Sequence, residues 1–119
     1  MTGGFWQASK ILSLSSMNRD EARAAVNEQL RRRGVGGAEG VSIIESWTIE
    51  KPYGWIFFYN SRRYVETGEL LYSLVGQGPV VVVSDRREIF ELGSAYPSDV
   101  AIAMLEEQLG LDQPPALGG

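Results

Sequence analysis

The stretch KPYGWIFFYNSRRY, residues 51–64, places six aromatic side chains in fourteen positions and ends on two arginines. Pro52 and Gly54 are turn residues. Beyond them GWIFFYN is apolar on both alternating faces, with Trp55, Phe57 and Tyr59 set against Ile56 and Phe58. A strand without a polar face is usually central and covered on both sides. A platform for single-stranded nucleic acid needs aromatics alternating with basic residues on one open face, whereas here the arginines follow the strand. Burying a large aromatic side chain stabilises by roughly 1.5–3 kcal/mol, so the stretch reads as core. Asn60, Arg62 and Arg63 are expected to be exposed beyond it, and the hydroxyls of Tyr53, Tyr59 and Tyr64 need water or a partner.

Upstream, VSIIESWTIE (41–50) puts Ile43, Trp47 and Ile49 on one face and Ser46, Thr48 and Glu50 on the other, the period of a half-buried strand. Downstream, GPVVVVSDRREIFELG (78–93) predicts a second hairpin, with strands over 80–83 and 89–92 joined by the polar tip SDRR. A helix precedes these strands. NRDEARAAVNEQLRRR (18–33) spaces Ala22, Ala25, Val26, Gln29 and Leu30 helically, with Asn18 as cap, Asp20 and Glu21 at the positive end of the dipole and arginines at the negative end. GVGGAEG (34–40) follows a helix instead of a strand and has neither a Lys-Ser/Thr ending nor GxGxxG spacing, so it reads as a helix stop and loop, not a phosphate cradle. Pro97, Ser98 and Asp99 open a last helix that Gly110 stops. The expected fold is α+β, an antiparallel sheet of about four strands flanked by an N-terminal and a C-terminal helix. It is one domain over 17–110, with a loosely attached arm at 1–16 and a frayed tail at 111–119.

The totals agree with one globule. The chain has 119 residues, 44% of them hydrophobic and 22% charged, which suits a single soluble domain with one core. With no cysteine and no histidine, disulfides, thiolate zinc sites, Ser-His-Asp and Cys-His catalysis and HExxH sites are excluded. Carboxylates do not fill the gap. Glu45 and Glu50 flank the first strand on opposite faces, Glu66 and Glu69 lie in a loop, and neighbours Glu106 and Glu107 point about 100° apart on a helix. No enzyme, cofactor or metal site is expected. The first residues hold too short an apolar run for a signal peptide or a membrane span, which predicts a cytoplasmic protein away from membranes.

Charge is distributed unevenly. The net charge is −4, yet five of the eleven basic residues lie between Arg19 and Arg33, and from Glu88 onward there are six acidic residues and no basic one. An acidic balance opposes general nucleic-acid binding. A cationic protein partner fits the final third better.

The run WTIEKPYGWIFFYNSRRY (47–64) resembles the signature of the immunity protein 35 family, also called YrhB-like. Thr67-Gly68, Gly76-Gln77-Gly78-Pro79, Asp85-Arg86-Arg87, Gly93 and Ala95-Tyr96-Pro97 agree in order, and Glu21-Ala22-Arg23 matches a preceding helix. The likeness spans roughly residues 18–109. Glu88 stands where an Asp-Gly type ending is expected, so the second hairpin's tip should differ in turn type. The resemblance implies a small α+β protein that binds and neutralises a bacterial toxin, with no catalytic residue to carry over. On that reading the chain is a stoichiometric inhibitor of a cognate toxin. By charge, Glu88, Glu91, Glu106 and Glu107 are the expected contacts, and Asn60, Arg62, Arg63 and Tyr64 form the competing surface. The alternative is a chaperone-like or regulatory protein-binding module without a toxin partner.

Overall fold

The computed structural model describes residues 17–111; the expected arm at 1–16 and the tail beyond Leu111 lie outside the described residues. In chain order the elements are α1 (Arg19–Arg32), β1 (Val41–Ile43), β2 (Ile49–Lys51), β3 (Gly54–Phe57), β4 (Tyr59–Ser61), α2 (Arg62–Thr67), β5 (Val80–Val83), β6 (Glu88–Glu91) and α3 (Ser98–Leu109). The class is α+β. Strands β2-β3-β5-β6 form a four-stranded antiparallel sheet, and β1 pairs with β4 in a two-stranded one.

The two strands without a polar face, β3 and β5, are the central pair of the larger sheet. Alternation then assigns each side chain to a layer. Phe57, Val80 and Val82 meet Ala22, Val26 and Leu30 of α1, with Ile43 and Tyr59 closing that cluster. On the reverse face Ile56, Val81 and Val83 meet Ile102 of α3, with Leu105 and Leu109 at its margin. The sheet is therefore a filling between two helices. Asn18 caps α1 through a reciprocal pair, its side chain accepting from the Glu21 N–H and the Glu21 carboxylate accepting from the Asn18 N–H, which satisfies two otherwise orphaned donors.

The first hairpin turns at Pro52 and Tyr53, where Lys51 pairs with Gly54. Gly54 is required there because a Cβ would stand 1.9 Å from the Val82 carbonyl oxygen. In the second hairpin the tip closes with the Arg87 N–H donating to the Ser84 carbonyl. Arg87 takes φ 53°, a left-handed conformation that favours glycine.

Two expectations need correction. The continuous strand over 41–50 is absent: a turn of 3-10 helix at Glu45–Trp47 separates β1 from β2. Ile43 pairs with Tyr59 and Ile49 with Ile56, so five residues (44–48) stand opposite two (57 and 58). That odd surplus of three reverses the alternation. Ile43 turns towards α1, Ile49 falls on the α3 side, and Trp47 is 58% exposed with its ring edge-on to Phe58. Secondly, Asn60, expected to be exposed, is 8% exposed, because β4 leaves the large sheet and runs beneath the segment at 69–74.

Candidate protein-binding surface

Asn60 holds that segment from below. Its Oδ1 accepts from the backbone N–H groups of Ser61 and Leu74, at 2.7 and 2.8 Å, and its Nδ2 donates to Ser73 Oγ at 3.3 Å. Ser61 adds a second tie, donating through Oγ to the Tyr72 carbonyl and accepting there from the Tyr64 N–H as cap of α2. The backbone of 70–74 is thus fixed through polar groups, and its side chains are left over. Leu70 is 78% exposed, Leu71 84% and Val75 91%, and Val65 of α2 is partly exposed. Isolated exposed leucines are ordinary, but a run of them on one short segment is a candidate contact surface.

Arginines border this apolar run. The Arg63 guanidinium lies 4.9 Å from the Tyr72 ring centroid and 2.8 Å from a Glu39 carboxylate oxygen. Arg62 donates through Nε to the Glu39 carbonyl and has no carboxylate partner among the described residues. Tyr64 is half-buried on the same helix. Aromatic, arginine and aliphatic side chains around one rigid backbone are the composition of interface hot spots. Of the residues expected here from sequence, Arg62, Arg63 and Tyr64 border the surface and Asn60 supports it from within. The leucines and Val75 were missed: LLYSLV has neither helical nor strand period, and the only available sign was an apolar run between Gly68 and Gly76 with no place in a sheet.

The acidic residues chosen by charge are dispersed. Glu91 accepts from Gln29 Nε2 at 2.6 Å and pairs with Arg33 at 2.7 Å, tying β6 to α1. Glu106, whose side chain is 14% exposed, accepts from the Tyr53 hydroxyl at 2.7 Å and lies 2.9 Å from Lys51 Nζ, tying the first hairpin to α3. Burial pushes its carboxyl up, but the Tyr53 hydroxyl and the Lys51 ammonium outweigh this and hold it below the usual range. Burial, and then the bond to Glu106, push the Tyr53 phenol well up. Glu88 is half-buried, 4.0 Å from Arg86, and Glu107 is exposed on the outer side of α3. Lys51 places Glu106 at the β2 edge, whereas Glu88 and Glu91 occupy the β6 edge. Three strand spacings, roughly 14 Å, separate them. Of the four, only Glu107 is exposed.

Among the described residues there is no group of three His, Cys, Asp or Glu side chains able to hold a metal ion, and no helix long and apolar enough to cross a membrane.

Comparison with known proteins supports one lineage. The family model described as immunity protein 35 matches residues 20–106. A relative in Escherichia coli strain K12, described as uncharacterized protein YrhB, is 39% identical over 44 residues, which cover 37% of this chain and 47% of that protein. The match thus spans about half the length of the curated relative. No solved structure matches the chain.

Proposed function

The chain belongs to the immunity protein 35 family, and from that premise we propose that it is a stoichiometric inhibitor, binding a cognate bacterial toxin and blocking it by occlusion. Immunity proteins neutralise toxins in general and are generally not enzymes, so a protein partner is the family's common ground. The observation that supports a specific surface is the exposed run Leu70, Leu71 and Val75, anchored from below by Asn60 and bordered by Arg62, Arg63 and Tyr64. Keeping such side chains in water costs the transfer free energy that burial would recover, roughly 1.5–3 kcal/mol for each fully buried aliphatic. A partner that covers them recovers it. Glu107 is the acidic residue best placed to steer a cationic partner, since complementary charge chiefly raises the association rate.

The test is co-production of this chain with the toxin encoded beside its gene. Restored growth and a one-to-one complex by light scattering support the inhibitor. A toxin that kills equally with and without the chain, and no complex with it, would remove this reading in favour of a protein-binding module without a toxin partner.

A further inference from the structure

Beside the apolar run lies a cleft that shares only Arg62 with the surface assigned above. It is a space of about 510 Å³ between α1 and the loop that leads into β1, within the roughly 300–1,000 Å³ of binding pockets. Arg23, Asn27 and Arg31, four residues apart on α1, line it, as does Arg62 of α2. Val35, Val41 and Ile43 supply apolar lining.

Three charge clusters surround this space, each with two arginines about one glutamate. Arg19 and Arg23 lie 4.0 and 3.1 Å from Glu45. Arg31 and Arg32 lie 2.7 and 3.4 Å from Glu28. Arg63 pairs with Glu39 at 2.8 Å while Arg62 donates to the Glu39 carbonyl. Of the charged residues that line the space, Arg23, Arg31 and Arg62 stand against Glu39 and Glu45, a surplus of one positive charge. This surplus stands on a chain whose net charge is −4. The Asn27 side-chain amide has no hydrogen-bond partner among the described residues, so a donor is also available on the wall.

We propose that the cleft receives a carboxylate-bearing loop of the partner, an acidic polypeptide segment. The inference rests on the inhibitor reading, because Arg62 and Arg63 join the cleft to the exposed leucines as one surface. Guanidinium groups match carboxylates geometrically and keep their charge at every relevant pH. The apolar lining suits a segment that mixes acidic and aliphatic side chains. A nucleic acid is the poorer occupant, since a phosphate polymer would run out of the cleft into the acidic remainder of the chain.

The experiment is an NMR titration of the full chain with a decapeptide of alternating glutamate and leucine, against a lysine–leucine decapeptide and a single-stranded oligonucleotide as controls. The acidic peptide is expected to shift the amides of Asn27, Ser42 and Arg62 saturably, and to bind about tenfold more weakly at 0.3 M salt than at 0.05 M, because the contacts are partly solvent-screened. R23A/R31A is expected to melt as the parent does and to lose this binding, whereas R23K/R31K keeps part of it. Absence of a saturable shift, shifts confined to α3, or equal binding of the oligonucleotide would each overturn the proposal. No toxin enters this titration, so the two readings fail separately. A toxin neutralised equally by the parent and R23A/R31A, while the acidic peptide binds neither, removes the cleft and leaves the inhibitor.

Discussion

Val80–Val83 and the segment at 70–75 lie fewer than ten residues apart and are built from the same kind of side chain. The four valines are 0–2% exposed, whereas Leu70, Leu71 and Val75 are 78–91% exposed. The valines form a central strand with a helix over each face, so their hydrophobicity is spent on folding. The leucines ride on a backbone that Asn60 and Ser61 hold through hydrogen bonds, and they contribute almost nothing to the core. Apolar character alone therefore does not say what a residue is for. The element that fixes the backbone beneath it does.

The comparison predicts a gradient of stability effects. Phe57→Ala, in the α1-facing layer at 0% exposure, should cost about 3–5 kcal/mol, most of the stability of a small domain. A denaturation midpoint close to the parent's would break the claim that β3 is the structural centre. Asn60→Ala should cost less, about 1–3 kcal/mol, because the Leu74 N–H loses its acceptor in a partly buried place. Amide exchange should rise locally at Leu74, and unchanged protection there would show that the segment is held by something else.

Glu106→Gln comes next. The carboxylate accepts from Tyr53 and pairs with Lys51, and replacing the charge should cost about 1.5 kcal/mol at neutral pH. The carboxyl is held below its ordinary 4.5. Its stabilisation is therefore full above that pH and is lost as pH falls through the lowered folded-state value. Chemical denaturation of parent and variant should differ at pH 7 and converge in acid. A difference that is constant from pH 7 to well below 4.5 would contradict the assignment.

Much of the frame was legible in the sequence. Asn18 and the spacing of Ala22, Val26 and Leu30 mark α1 without help from tertiary contacts, and the absence of a polar face marks β3 and β5 as central. The break at 44–48 was not legible, since alternation is read on the premise that no residue is inserted, and an odd insertion reverses every later face. Asn60 was misplaced because its partners Ser73 and Leu74 come from a segment whose path no local pattern records. The acidic residues were chosen by charge alone, while Glu91 and Glu106 find partners in elements distant in sequence. The leucines at 70 and 71 escaped because they obey no period at all.

The smallest expected effect on stability carries the most weight for function. Leu70→Ser/Leu71→Ser should change the unfolding free energy by no more than about 0.5 kcal/mol, as for other exposed positions. The same variant, titrated against the cognate toxin, should lose at least about 2 kcal/mol of affinity, roughly thirtyfold in Kd. Unaltered toxin affinity in a variant that melts as the parent does would contradict the claim that this surface is the one that binds.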